Sequence, residues 1–105
     1  MLDNKEDIIV RSVRQPTDWN EAALLHRVNP EKNEARFYFV SIGPALFDPH
    51  AVIRIWGRIG GYQRILVTPC QTSTEARKLA KRLVQRRLKR GYKLIQGAAL
   101  TISET

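Results

Sequence analysis

Apolar and polar residues alternate with a period of two through the middle of this chain, as strands with two unlike sides require. Over residues 51–59, Ile53, Ile55 and Ile59 share one side and Arg54, Trp56 and Arg58 the other. Gly60-Gly61 supplies a turn. Residues 63–68 then return with Ile65 and Val67 on one side and Arg64, Leu66 and Thr68 opposite, which predicts a hairpin with an aliphatic inner side. Residues 36–42, Arg-Phe-Tyr-Phe-Val-Ser-Ile, are rich in aromatic and β-branched types and run into Gly43-Pro44, a strand followed by a breaker. Residues 22–28 read either as a short strand ending at Asn29-Pro30 or as a helical turn.

After residue 71 the period lengthens. Thr72-Ser73-Thr74-Glu75 has the spacing of a capping box, in which the threonine hydroxyl and the glutamate satisfy amides at a helix start. Ala76, Leu79, Ala80, Leu83, Val84 and Leu88 follow at helical spacing as an apolar stripe, and Gly91 stands where helices commonly end. Residues 92–95 read as a short edge strand, with the remainder frayed. These elements predict an α+β fold: an antiparallel sheet of about four strands with one C-terminal amphipathic helix packed on one face. The domain is expected over 22–95, between a weakly structured acidic extension, 1–21, and a C-terminal tail, 96–105. Within the extension the apolar run Ile8-Ile9-Val10 could add one strand.

A length of 105 residues suits one domain with a modest core, and 43% hydrophobic residues argue against wholesale disorder. A single cysteine, Cys70, allows no internal disulfide, and the sequence has no Cys/His cluster with metal-ligand spacing. The acidic N-terminus and the lack of a long apolar run point away from a signal peptide and a membrane span, toward a cytoplasmic protein.

Charge sharpens this picture. The net charge is +8, but residues 1–35 hold five basic and seven acidic side chains, while residues 36–93 hold thirteen basic ones against only Asp48 and Glu75. The excess belongs to the folded region, where it can form a shaped anion-binding surface. Trp56 alone reads more readily as core than as contact. Its strand phase, shared with Arg54 and Arg58, favours a ring stacked on a base or sugar beside phosphate contacts. Arg64 joins this set from the adjoining strand, and Gly57 allows a bulge or a close backbone approach. Arg36 and Tyr38 are weaker candidates, and Lys81 and Arg86 represent the basic side of the helix. If the helix covers the Ile53/Ile55 side, its cations point away from Trp56 and the domain has two basic surfaces. His26 and His50 show no partner pattern, and Cys70 reads as a small buried residue.

Arg36-Phe37-Tyr38 entering an aromatic strand, Trp56-Gly57-Arg58-Ile59-Gly60 closing the next, and a basic helix ended by Gly91-Tyr92 together resemble the WGR domain. That module occurs in DNA-damage-responsive poly(ADP-ribose) polymerases and in small bacterial proteins. The resemblance covers residues 25–92. It implies an antiparallel sheet with a helix on one face, and a role in DNA repair, holding DNA near a strand break. In the polymerases the motif's tryptophan packs against a nucleotide at the 5′ end and the arginine adds to the contact or docks other domains; the matching positions are Trp56 and Arg58. No ADP-ribosyl transferase domain accompanies the motif here, so the polymerases' activity does not transfer.

The sequence carries no glycine-rich phosphate loop, paired carboxylates or nucleophile signature, so a non-enzymatic module without cofactor, metal or small-molecule substrate is expected. The leading expectation is binding of DNA at ends or nicks, with RNA as a second possible ligand. The alternative is an interaction module that docks an acidic protein partner or a repair enzyme.

Overall fold

The computed structural model describes residues 18–45 and 47–102. Among the described residues five strands form one antiparallel sheet: β1 (Ala22–Asn29), β2 (Glu34–Ala45), β3 (Asp48–Arg58), β4 (Gln63–Pro69) and β5 (Lys93–Gln96), in the spatial order β4-β3-β2-β1-β5. One helix, α1 (Ser73–Lys89), packs on it. The α+β architecture is as expected, and the fifth strand is the short edge strand read over residues 92–95. The expected strand within the extension falls on Ile8-Ile9-Val10, outside the described residues.

Local chemistry explains each element. Residues 22–28 resolve as a strand because β2 and β5 pair with both edges of β1, giving its backbone a full ladder that an isolated helical turn lacks. Gly43-Pro44 does not end β2. Pairing with β1 stops at Ser41, so the missing amide of Pro44 costs no bond on that side, and the register with β3 shifts between Gly43 and Ala45 to absorb it. At the start of α1 the Thr72 hydroxyl accepts from the Glu75 amide at 3.0 Å, while the Glu75 carboxylate accepts from the Gln71 amide at 3.3 Å, one residue earlier than a standard capping box.

Two apolar clusters flank the sheet. On the helix side, Ala23, Leu25, Tyr38, Val40 and Val52 meet Ala76, Ala80, Leu83 and Val84 of α1, with Trp56, Leu79 and Leu88 packed at the margin. On the other side, Ala22, Phe37, Phe39 and Ile55 form a smaller cluster with Trp19, Leu24 and Ile53, and the Trp19 ring meets Phe39 edge-on at 6.3 Å. The helix therefore covers the Trp56 side of the sheet, not the Ile53/Ile55 side. The expected fraying after Ile95 does not hold through residue 101: residues Ala98–Thr101 form a short turn that buries Leu100 fully against β1 and α1.

Candidate nucleic-acid interface

In an antiparallel sheet, residues directly opposite each other point to the same side. Trp56 on β3 lies opposite Tyr38 on β2 and Arg64 on β4, with Arg54 and Arg58 two positions away on its own strand. Arg58 in turn lies opposite Arg36. The strand pattern thus brings Trp56, Arg54, Arg58, Arg64, Arg36 and Tyr38 together on one side. Because α1 lies on that side too, the helix adds to the same surface instead of forming a second one.

The helix contribution centres on Arg87. Its guanidinium sits over the Tyr38 ring at 4.4 Å from the centroid and over Tyr92 at 5.6 Å, within cation–π range of both. Arg87 follows Leu83 by four residues and Val84 by three, so it lies on the buried stripe. A helical wheel would have picked it out; its charge hid it among the other helix cations. Tyr38 itself is a core residue, 1% exposed. Its hydroxyl has no hydrogen bond of good geometry, and burial pushes its pKa above the usual 10.0 while Arg87 and Arg54 pull the other way. The Tyr38 ring is thus a platform that holds Arg87.

The other arginines are held to different degrees. Arg54 is half-buried, donating from Nη2 to the Thr68 hydroxyl at 3.1 Å, while its buried Nε has no partner. Arg58 is exposed, but both fork nitrogens bind Asn33: Nη1 donates to the carbonyl at 3.0 Å and Nη2 to Oδ1 at 3.1 Å. Asn33 is left-handed at φ 52 in the turn between β1 and β2, so the motif's arginine staples that turn to the end of β3. Arg36 is exposed and lies 3.8 Å from Glu34, which also pairs with Arg27 at 3.1 Å. Arg64 is exposed and stands 5.9 Å from the ring of Tyr62, itself 71% exposed, so a second aromatic–guanidinium pair adjoins Trp56. From sequence Tyr62 reads as a residue that could offer its hydroxyl to phosphate but packs more readily at a core or rim; its exposure depends on the loop after β3.

Gly57 shapes that loop. A side chain there would run into the carbonyl oxygen of Tyr62 and stand 2.9 Å from the Cα of Gln63. Neither backbone atom can swing aside as a flexible side-chain end could. The glycine therefore lets β3 and the start of β4 close up directly beside Trp56.

Lys81 and Arg86 do not act together. Five residues of helix turn through about 500°, which leaves their side chains about 140° apart. Arg77 binds Asn20 and Glu21, and Gln85 donates to the Thr101 carbonyl at 2.6 Å; Lys81 lies between them on that flank and Arg86 on the other. Cys70 is a poor nucleophile: burial, with a smaller contribution from Glu75, raises its thiol pKa. Among the described residues no group of His, Cys, Asp or Glu could hold a metal ion, and no helix is long and apolar enough to cross a membrane.

The family model of the WGR domain matches residues 21–98. The chain belongs to the WGR domain family. This module is non-catalytic and of nucleic-acid-binding type in poly(ADP-ribose) polymerase-like proteins. The chain is also similar to the uncharacterized protein y4dW of Sinorhizobium fredii (strain NBRC 101917 / NGR234), 36% identical over 69 residues that cover 66% of this chain and 34% of y4dW. The chain thus matches about a third of that relative's length. No solved structure matches significantly.

Proposed function

We propose that the WGR surface around Trp56 binds DNA at ends or nicks, by neutralising phosphates and packing an aromatic ring on the terminal sugar or base. The observation that carries this reading is one half-buried tryptophan set among Arg54, Arg58 and Arg64 from the strands, with Arg87 of the helix held on the neighbouring Tyr38. Guanidinium groups suit phosphate oxygens, and a ring among them suits a nucleotide's apolar face. Nothing in the arrangement reads base edges, since it presents neither a helix nor a β-ribbon shaped for the major groove. The Tyr62–Arg64 pair offers a second stacking position, and Arg86 adds long-range attraction from the helix.

Titration of intact, nicked and blunt-ended duplexes at several salt concentrations tests this. With roughly five phosphates engaged, log affinity falls against log salt with a slope of about −4 to −5. Trp56→Ala should lower affinity for ends by about 1–3 kcal/mol with the fold intact by circular dichroism. Salt-insensitive binding, or a Trp56→Ala protein that binds as well as its parent, would defeat the reading. Competition with matched RNA decides which polymer is preferred.

A second reading, docking of an acidic protein partner, draws on Lys78, Arg82 and Lys89. These cations are exposed on the outer side of α1, where a ligand seated on Trp56 does not reach them. Reversing Arg82 and Lys89 to Glu while retaining end binding, yet losing capture of an acidic partner, would support it.

A further inference from the structure

Trp56 and Tyr62 lie on the same side of the sheet but differ in how they meet solvent. Trp56 is half-buried at the margin of the core under α1, whereas Tyr62, just before the outer strand β4, is 71% exposed. The turn that carries Tyr62 is not slack. The Tyr62 carbonyl accepts from the Arg58 amide at 3.3 Å, the Gly61 amide donates to the Arg58 carbonyl at 2.9 Å, and the Ile59 amide donates to the Ala35 carbonyl at 2.8 Å, which ties the turn to β3 and to the start of β2. A large ring is therefore displayed from a fixed backbone, with the Arg64 guanidinium beside it. No Asp or Glu occurs between residues 49 and 74, so the whole β3–β4 hairpin beyond Asp48 is free of acidic side chains.

We propose that Tyr62 and Arg64 bind the first unpaired nucleotide of a strand that runs past a duplex end, its base stacked on the tyrosine and its phosphate on the arginine; this rests on the reading that Trp56 holds that end. Three features favour a single strand. Trp56 lies opposite Arg64, so Tyr62 is its diagonal neighbour, about 7–8 Å away at Cα, with Arg64 next to both. Ring, guanidinium and ring thus follow one another as nucleoside, phosphate and nucleoside do along one step of a strand. A base inside a duplex has both faces covered by its neighbours, and the last pair offers only one. A widely exposed ring set to the side of Trp56 meets a full base face where that base is free of its partner, and stacking of this kind is tolerant of sequence. Finally, β4 is the outer strand and the turn before Tyr62 is Gly60-Gly61, whose missing side chains leave the approach to the ring uncrowded.

Titration of the full chain with one duplex, ended either blunt or with a short thymidine tail on the 5′ or the 3′ strand, tests this at a fixed salt concentration. The parent should bind at least one tailed duplex about tenfold more tightly than the blunt one, with most of the gain reached at the first unpaired nucleotide. Tyr62→Ala should abolish that gain and leave blunt-end affinity unchanged, whereas Tyr62→Phe should keep it, because stacking needs the ring and not the hydroxyl. Circular dichroism matching the parent's confirms that both variants fold. A tail that adds nothing, or a gain that survives Tyr62→Ala, overturns the proposal while end binding at Trp56 stands. A loss from Tyr62→Ala that is equal on blunt and tailed duplexes overturns it too, by assigning the tyrosine to the terminal base pair. Failure of the parent to bind any end defeats the reading of Trp56 first, and this proposal with it.

Discussion

The two sides of this sheet share strands and backbone but solve different problems. On the helix side, α1 covers only part of the surface, and arginines fill the rest: Arg54 is held by Thr68, Arg58 by Asn33, Arg64 stands beside the Tyr62 ring and Arg87 over Tyr38. On the far side the facing residues of β1 to β4 are uncharged, and the aromatic pair of β2, Phe37 and Phe39, replaces Tyr38 and Val40. Alternation along four strands thus segregates nearly all the sheet's charge to one side without any long basic run. Neighbouring residues in sequence become a built-in control for each other: Leu24 against Leu25, and Arg64 against Ile65.

The largest contrast should come from the leucine pair. Leu25 is fully buried under α1, and Leu25→Ala should cost about 2–5 kcal/mol, since the removed methyl groups leave a cavity in a close-packed core. Leu24 is half-buried on the other side, and Leu24→Ala should cost under about 2 kcal/mol. Urea denaturation measures both. Equal losses would mean that the two sides are packed equally well.

How much of this was legible beforehand depends on the strand. The strands, the helix and its cap follow from periodicity and turn residues, because those signals are local. The side the helix chooses is not local. β2 is apolar on both sides from Phe37 to Val40, so it favours neither, and on β3 the isoleucines look more like a core than Val52, Arg54 and Trp56 do. The choice is set by Ala23, Leu25, Val40 and Val52 acting together, small and branched residues on three strands that admit the alanine-rich stripe of α1. The Arg58–Asn33 staple joins residues 25 positions apart and has no sequence signal at all. Of the candidate residues, Trp56, Arg54, Arg58 and Arg64 follow from strand phase, whereas the seat of Arg87 on Tyr38 and the pairing of Tyr62 with Arg64 needed the fold.

The second contrast is electrostatic. Arg64 and Ile65 are adjacent, both exposed, and on opposite sides. If the Trp56 side holds nucleic acid, Arg64→Ala should flatten the dependence of log affinity on log salt by about 1, with a matching loss of affinity at low salt. Ile65→Glu changes the net charge by the same single unit, yet should leave slope and affinity nearly unchanged. Equal effects from the two would show that the protein attracts nucleic acid through total charge alone, with no preferred side.

The smallest effect concerns His26, which is half-buried on the far side between Phe37 of β2 and Lys93 of β5. Burial lowers its pKa below the ordinary 6.5, because an imidazolium loses hydration there. The unfolded chain then binds more protons than the folded one between the folded-state pKa and 6.5, so stability rises with pH across that interval. The contribution is fully present above 6.5 and is lost as the pH falls through the folded-state pKa. Denaturation midpoints measured from neutral pH downward should therefore decline less for His26→Gln than for the parent in this interval, with His50→Gln as the control for removing a histidine elsewhere.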